Sequence, residues 1–195
     1  MQTLVLASSS PYRRMLLDKL ELPYQHASPD IDESPKPAEQ PAALVKRLAI
    51  EKAQAIATQF DSAIIIGSDQ VAVCDGVILG KPGTATKAHE QLKLLSGKRV
   101  TFLTGLAVIN TQHQTIDAIV EPFNVQFRTL SEQQIENYVA KEQPLNCAGS
   151  FKSEGLGIAL FEKLEGDDPN SLIGLPLIQL TKMLLTQGID VLSSQ

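Results

Sequence analysis

Residues Ile64 to Pro82 read I-I-I-G-S-D-Q-V-A-V-C-D-G-V-I-L-G-K-P. The three consecutive β-branched residues at the start are typical of a strand that is buried on both faces. Asp75-Gly76 lies between two apolar runs, which indicates a two-residue hairpin turn. This turn predicts three facing pairs: Cys74 with Val77, Val73 with Ile78, and Gln70 with Lys81. We therefore expect a β-hairpin at the centre of the fold.

One carboxylate, Asp69, interrupts this apolar stretch. A charged group is seldom fully buried unless it is paired or coordinates a metal. In the predicted hairpin Lys81 lies one register position from Asp69, with Gly80 allowing a close approach and Pro82 ending the pairing. This arrangement predicts an anion or metal-phosphate site. The alternative is an aspartate that ends the strand and caps a turn.

The composition limits the class of protein. A chain of 195 residues suits one domain, with two lobes at most. There are 17 Lys and Arg residues against 22 Asp and Glu, which argues against a nucleic-acid polymer as partner. Two cysteines without a CxxC motif indicate reduced thiols and a cytoplasmic protein, and the three histidines lack the spacing of a zinc site. No apolar stretch suggests export or membrane insertion.

The start of the chain predicts a strand followed directly by a helix. Thr3–Ala7 is the strand, Ser10 is a good N-cap, and Pro11 suits the first helical position. Arg13 and Arg14 lie in the first helical turn, where the helix dipole disfavours cations. Free backbone N–H groups, hydroxyls and two arginines together indicate an anion site. The alternative is a solvated pair of basic residues on an exposed helix.

A second helix is predicted from Pro41 to about Thr58, and Lys52 lies in the middle of its apolar face. A lysine in this position either snorkels outward or is held inside by an anion such as phosphate. We favour the second alternative. Replacing Lys52 by Met is then expected to keep or raise stability, because the change relieves the desolvation of a charge.

Asp30-Ile31-Asp32-Glu33 forms an acidic loop between prolines. Its carboxylates are hard oxygen ligands that suit Mg²⁺ or Mn²⁺, although acidic loops are usually just solvated. The remaining predicted elements are a helix over Thr86–Leu95, strands over Arg99–Asn110 and Thr115–Arg128, a helix from the capping box at Ser131, a strand over Leu156–Leu164, and a helix over Leu177–Leu184. Strands and helices mix throughout, so the fold class is α/β or mixed α+β.

Six stretches of the chain are similar to one known family. They read L-A-S-S-S-P-Y-R-R, D-I-D-E, R-L-A-I-E-K-A, I-I-G-S-D-Q-V, G-K-P and E-G-D-D-P-N-S-L-I-G-L-P-L. In this order and spacing they resemble the Maf-like nucleoside triphosphate pyrophosphatases. The resemblance implies one catalytic domain over residues 1–195, with an elongated two-lobed fold of the Maf and ITPase type. It also implies a central mixed sheet, a cleft between the lobes and a homodimer.

The resemblance also implies a reaction and its residues. The α–β phosphoanhydride of a nucleoside triphosphate is cleaved with the help of a divalent cation, Mg²⁺ or Mn²⁺ with Co²⁺ as a third choice. Asp69 is implied as the general base or the ligand that activates water, with Lys52 and Lys81 as further catalytic residues. The implied phosphate-binding residues are Ser8, Arg13 and Arg14, together with Lys52 and Lys81. Glu33 is implied to bind the metal together with Asp69.

The chain departs from the commonest family pattern in three places. Asn146-Cys147 replaces Asp-Lys, Gln70 stands where Thr is frequent, and Ser153-Glu154-Gly155 replaces Gln-Gly. These differences resemble the branch that acts on 7-methyl-GTP, and they imply Tyr12, Gln70 and Glu154 as residues that select the base.

Two alternatives remain open. One is a pyrophosphatase for dTTP and UTP. The other is a nucleotide-binding regulator of septum formation, in which hydrolysis is incidental. Asp69, Glu33, Lys52 and Lys81 are all present, which argues against a pure binder, because a binder needs no base.

Overall fold

A computed structural model describes residues 2–193 of the chain. These residues form seven strands and six α-helices, so the mixed α/β class predicted from the sequence is confirmed. The strands are β1 (Thr3–Ala7), β2 (Gln25–Ala27), β3 (Ala63–Cys74), β4 (Val77–Leu79), β5 (Arg99–Asn110), β6 (Thr115–Phe127) and β7 (Phe161–Glu165). The helices are α1 (Pro11–Asp18), α2 (Pro41–Ala57), α3 (Ala85–Leu95), α4 (Glu132–Glu142), α5 (Pro169–Ile173) and α6 (Leu177–Thr186).

The strands form one mixed sheet in the order β2-β1-β3-β5-β6-β7, with β4 paired to β3. β1 pairs in parallel with both β2 and β3, whereas β4 runs antiparallel to β3, and β7 antiparallel to β6. The β1–β3 register runs from Thr3 opposite Ala63 to Ala7 opposite Gly67. The β-branched run of β3 is fully buried, as its composition predicted.

The chain divides into two compact units. The first unit comprises the chain up to Asp69, Thr104–Glu121 and the chain from Gly174. The second unit comprises Gln70–Leu103 and Pro122–Ile173. The first unit is therefore built from three separate segments of sequence. Among residues 2–193, none of the helices combines the length and the hydrophobicity needed to cross a bilayer.

Helix α2 packs directly on the sheet of the first unit at two glycines. A Cβ atom at Gly67 would lie 2.1 Å from the carbonyl oxygen of Ala49, and one at Gly105 would lie 2.1 Å from that of Val45. Only glycine permits such an approach of helix backbone to strand backbone. The core beside this contact consists of buried apolar residues of β1, α2, β3 and β5: Val5, Ala7, Ala53, Ile56, Ala63, Ile65 and Ile109.

The core of the second unit contains an aromatic cluster. Phe102, Phe127, Phe151 and Phe161 make edge-to-face contacts with ring centroids 4.9–5.5 Å apart. This geometry suits the quadrupoles of the rings and stabilises each pair by about 0.5–1.5 kcal/mol beyond burial alone. Apolar residues of α3 and α4 complete this core, among them Leu92 and Ile135.

The central hairpin forms as predicted, but it is shorter than expected. Cys74 pairs with Val77 and Val73 with Ile78, while Asp75 and Gly76 have φ angles of 50° and 78°, as a type I′ turn requires. The ladder ends at Ala72 opposite Leu79. The predicted pairing of Gln70 with Lys81 is therefore wrong. Beyond Leu79 the chain is held by other elements, since the Gly80 carbonyl accepts hydrogen bonds from Gln91 and Gly149.

One alternative and one further expectation from the sequence need correction. Strand β3 continues through Asp69 to Cys74, so Asp69 lies within the strand and does not end it. The predicted strand over Leu156–Leu164 begins only at Phe161, because Leu156–Leu160 forms a 3₁₀ turn. At Gly157 a Cβ atom would lie 2.2 Å from the Lys152 carbonyl oxygen, so the backbone folds back on itself where a straight strand was expected.

Candidate active site

Lys52, Asp69 and Glu33 form a cluster of charges in the first unit. The Lys52 ammonium Nζ lies 2.7 Å from Asp69 Oδ1 and 3.1 Å from Glu33 Oε1. Lys52 and Asp69 are only 6% and 7% exposed, whereas Glu33 is exposed. Lys52 is therefore held inside by anions and does not snorkel. The anions that hold it are the protein's own carboxylates.

The sequence explains why Lys52 and Asp69 meet. Alternate residues of a strand face the same side, so Asp69 projects from β3 on the same side as Gly67. Gly67 is the residue against which α2 packs through Ala49 and Ala53. Lys52 lies on the same helix face, next to Ala53 and three residues after Ala49. Because α2 and β3 approach closely at Gly67, the Lys52 ammonium group lies next to the Asp69 carboxylate.

Ser8 lies where β1 ends and the chain turns into α1. Because Ala7 pairs with Gly67, Ser8 leaves the sheet at the level of the residue before Asp69. Ser8 is buried, and its hydroxyl accepts a hydrogen bond of 3.1 Å from the Ser10 N–H. Ser10 caps α1 by accepting a hydrogen bond from the Arg13 N–H, as predicted from the sequence.

Arg13 belongs to the same region of the first unit. Its Nε donates a hydrogen bond of 2.8 Å to the Gly174 carbonyl, so binding of a phosphate would fall to its two terminal nitrogens. Burial lowers the pKa of Arg13, while the negative charges of Asp69 and Glu33 act in the opposite direction. The guanidinium therefore lies within the field of both predicted metal-binding carboxylates.

Arg14 points elsewhere. Its Nη1 lies 3.2 Å from His26 Nε2, and it lines an open surface groove together with Met15, Asp18 and Tyr24. The two arginines that the sequence grouped as phosphate ligands thus have different surroundings. Phosphate binding by Arg14 stays a prediction with less support than phosphate binding by Arg13.

The predicted base-selecting residues divide between the two units. Tyr12 lies half-buried on α1 in the first unit. In the second unit, Gln70 donates through Nε2 to the carbonyls of Ser171 and Leu172, at 2.7 and 3.2 Å. Lys81 and Glu154 are exposed residues of the second unit. Their roles stay predictions.

Two residues of α4 that sequence reasoning missed fasten the loop that carries Glu154. Glu142 accepts a hydrogen bond of 2.8 Å from the Leu156 N–H and pairs with the Lys152 ammonium at 3.2 Å. The Tyr138 hydroxyl accepts a hydrogen bond from the Lys152 N–H, and burial raises the pKa of Tyr138. Tyr138 and Glu142 are four residues apart on a helix and therefore lie on one face. This spacing is the feature of the sequence that could have indicated their shared role.

Sequence reasoning also missed Ser68 and Arg47 in the first unit. The Ser68 hydroxyl is fully buried and lies 2.8 Å from the Gly105 carbonyl and 2.9 Å from that of Gly174. Arg47 makes ion pairs with Glu39 and Glu51. The arginine stands in the R-L-A-I-E-K-A motif, but nothing in the motif shows what it contacts.

Glu33 and Asp69 also bear on the predicted divalent cation. Within residues 2–193, no three or more His, Cys, Asp or Glu residues are grouped as a metal site made by protein alone. The carboxylates of Glu33 and Asp69 are hard oxygen donors that both contact the Lys52 ammonium group. Such a pair fits an ion of the Mg²⁺ type, which commonly takes one or two carboxylates and completes its shell with water and substrate phosphates.

The sheet, the capped helix after β1 and the charge cluster of Lys52, Asp69 and Glu33 define an α/β protein with paired charges in its first unit. The chain belongs to the Maf-like family: the family model described as Maf-like protein matches residues 3–187. This finding confirms the family resemblance that the sequence motifs indicated.

Two relatives and one solved structure are similar to the chain. The 7-methyl-GTP pyrophosphatase of Alcanivorax borkumensis is 61% identical over 189 residues, which cover 97% of this chain and 96% of the relative. That of Colwellia psychrerythraea is 57% identical over 195 residues, covering 100% and 98%. The Staphylococcus aureus Ham1 protein matches with a TM-score of 0.55 at 12% identity, covering 96% of this chain and 100% of that one, which supports the fold alone.

Proposed function

We propose that the protein is a nucleoside triphosphate pyrophosphatase that converts 7-methyl-GTP and water into 7-methyl-GMP and diphosphate. The names of the two relatives, at 57% and 61% identity over nearly the whole chain, support this activity. The observation that carries the proposal is the buried pair of Lys52 and Asp69 with the exposed Glu33 beside it, because hydrolysis of a phosphoanhydride needs a base and fixed charges.

In this mechanism Asp69 accepts a proton from the attacking water. The water oxygen forms a bond to the α-phosphorus while the bond to the bridging oxygen breaks, and that oxygen leaves with the diphosphate. Lys52, 2.7 Å from Asp69, fixes the orientation of the carboxylate and balances its charge. Positioning of this kind supplies most of the catalysis of phosphoryl transfer.

Ser8 and Arg13 bind the phosphates. A nucleoside triphosphate carries about four negative charges near neutral pH, so cations at the start of α1 neutralise charge that grows on the leaving group. Glu33 and Asp69 would hold a divalent cation, Mg²⁺, Mn²⁺ or Co²⁺, and the bound ion supplies further neutralisation of the phosphate charge. Lys81 is proposed as an additional phosphate contact.

The base is selected by its charge. Methylation at N7 makes guanine a cation, so an aromatic face and a carboxylate favour it over plain guanine. We assign these roles to Tyr12 and Glu154, with Gln70 at the purine edge. A cation over an aromatic ring contributes about 0.5–2 kcal/mol, and tenfold selectivity needs about 1.4 kcal/mol.

A comparison of four nucleotides tests the proposal. Purified protein is incubated with 7-methyl-GTP, GTP, dTTP or UTP and Mn²⁺ or Mg²⁺, and the monophosphate and diphosphate are quantified. We expect the highest kcat/KM for 7-methyl-GTP and no turnover with EDTA. Equal values for methylated and plain GTP would refute the base selectivity, and binding without hydrolysis would favour the regulator over the enzyme.

The proposed setting is a homodimer in the cytoplasm that acts on a small nucleotide. The family resemblance supports the dimer, and cysteine usage without CxxC supports a reducing compartment. Light scattering coupled to gel filtration tests the dimer directly, since a mass of 21.1 kDa corresponds to a single chain.

A further inference from the structure

The loop that carries Glu33 lacks the usual means of fixing a loop. Residues 28–40 form neither helix nor strand. They contain one turn, at 37–38, and most of their side chains are exposed. Burial of apolar side chains therefore contributes little to the position of this loop. A segment with few buried contacts opens easily unless polar contacts hold it. Yet Glu33 reaches Lys52 at 3.1 Å, which requires a defined position.

Arg47 on α2 supplies such polar contacts at two points of the loop, its middle and its C-terminal end. Its Nε and Nη2 lie 2.6 and 2.7 Å from the two carboxylate oxygens of Glu39, a bidentate ion pair. Nη2 also donates a hydrogen bond of 3.1 Å to the carbonyl of Ser34, the residue after Glu33. Nη1 pairs with Glu51 at 2.8 Å, one turn further along α2. The guanidinium thus ties the loop to the helix that carries Lys52.

The carboxylate of Glu39 extends the contact into the loop backbone. Its Oε2 accepts a hydrogen bond of 2.9 Å from the Lys36 N–H. The side chains of Arg47 and Glu39 are 15% and 9% exposed, so water competes only weakly for these bonds. The planar guanidinium donates hydrogen bonds to a carboxylate and a carbonyl at the same time. The ammonium group of a lysine cannot reproduce this geometry.

We propose that Arg47 is a positioning residue of the active site, which holds the loop of residues 28–40 so that Glu33 faces Lys52. Arg47 itself touches neither substrate nor metal in this scheme. The inference rests on the proposed function only for its kinetic test, because the position of the loop is measurable without any substrate.

The first experiment measures backbone hydrogen exchange in Arg47→Met, Arg47→Lys and the wild type. We expect the amides of Ser34 and Lys36, which are hydrogen-bonded in the loop, to exchange roughly tenfold faster in Arg47→Met. Arg47→Lys retains the positive charge but not the planar, bidentate geometry of the guanidinium. An intermediate exchange rate of the loop amides is therefore expected. The amides of β3 should not change. Lys46→Met, an exposed position one residue earlier on α2, is the matched control and should behave like the wild type.

The second experiment is a double-mutant cycle on kcat/KM for 7-methyl-GTP. If Arg47 acts through Glu33, Arg47→Met lowers kcat/KM in the wild-type background and has little further effect in Glu33→Gln. A purely structural role would lower kcat/KM in both backgrounds by the same factor. The ratio of kcat/KM values for 7-methyl-GTP and GTP should stay unchanged, since Arg47 has no part in base selection.

Unchanged exchange of the loop in Arg47→Met, or additive effects in the cycle, would overturn the inference. If Arg47→Met does not fold, Glu39→Gln removes the same bidentate pair from the loop side and is expected to give the same exchange pattern. If the wild type hydrolyses no nucleotide, the proposed function fails while the exchange experiment still decides the role of Arg47.

Discussion

Lys52 and Asp69 form a hydrogen-bonded ion pair with an Nζ–Oδ1 distance of 2.7 Å, at a position where both side chains are largely buried. The pair reverses one expectation from the sequence. A lysine alone on an apolar face would be a cost to stability, so its replacement by Met was expected to keep or raise stability. With Asp69 as its partner, the loss of Lys52 leaves a buried carboxylate that has lost its nearest cation.

We therefore predict that Lys52→Met destabilises the protein and severely reduces turnover. Removal of one partner of a buried ion pair typically costs about 3–5 kcal/mol. Urea denaturation gives the free energy of unfolding, and Lys46→Met serves as the exposed control. The double variant Lys52→Met/Asp69→Asn should recover part of the loss, because it removes the uncompensated charge. A single variant as stable as the wild type would show that the pair adds no stability.

Asp69→Asn is predicted to abolish turnover while the fold is retained. General-base catalysis contributes about 10²–10⁴-fold, and the loss of a metal ligand would add to the effect. In this variant Lys52 keeps Glu33 as a partner at 3.1 Å, so its charge remains compensated. The measurements are kcat with 7-methyl-GTP and the far-UV circular dichroism spectrum. Hydrolysis near the wild-type rate would remove Asp69 from the mechanism.

Gly67→Ala is predicted to destabilise the first unit. The added methyl group would lie 2.1 Å from the Ala49 carbonyl oxygen and 2.9 Å from the Ala53 Cβ, so α2 or β3 would have to shift. Overpacking of this kind typically costs about 1–3 kcal/mol. Because α2 carries Lys52, turnover should fall as well. Gly80→Ala is the matched control, since a Cβ atom there meets open space. Equal midpoints of thermal unfolding for the two variants would contradict the prediction.

The pH dependence of stability should reveal the contact of Glu39 with Arg47. The hydrogen bonds from Arg47 lower the pKa of Glu39 from 4.5 to about 2. A carboxyl whose pKa is lower in the folded state stabilises the fold above its unfolded pKa. The contribution is fully present above about pH 4.5 and is lost as the pH falls through about 2. The free energies of unfolding of the wild type and Glu39→Gln are measured at several pH values. The difference between them should decrease as the pH falls through this window.

Glu142→Gln is predicted to narrow the preference for 7-methyl-GTP over GTP. The change weakens the ion pair with Lys152, which helps to fasten the loop that carries Glu154. The ratio of the two kcat/KM values is the measurement, with Glu154→Gln as the direct comparison. Glu136→Gln, at an exposed position of the same helix, is the control. A ratio that falls equally in the control would show that the loop is not the cause.

Local signals were sufficient for most of the secondary structure. The Asp75-Gly76 turn, the Ser10 cap and the capping box at Ser131 each involve a few neighbouring residues, and each forms as predicted. The expected strand from Leu156 fails because a contact from another element intervenes: Glu142 on α4 accepts the Leu156 N–H. Apolar composition alone does not contain this information.

The candidate site was only partly predictable for the same reason. A lysine centred on an apolar helix face indicates that some anion is near, but not which one. The identity of that anion depends on the approach of α2 to β3 at Gly67, a tertiary contact. Arg47 was not recognised, because its partners Ser34 and Glu39 lie in a loop whose path follows no periodic pattern.

The carbonyl of Gly174 accepts hydrogen bonds from Arg13 and from Ser68, although 161 and 106 residues of sequence separate them. On the ribosome, a nascent chain therefore carries these two side chains long before their shared acceptor is synthesised. Contacts of such high sequence separation form late and slow the folding of a domain. The contacts that hold the start of α1 to Gly174 are consequently completed only after Gly174 has been synthesised, and nascent chains that stop before Gly174 lack them.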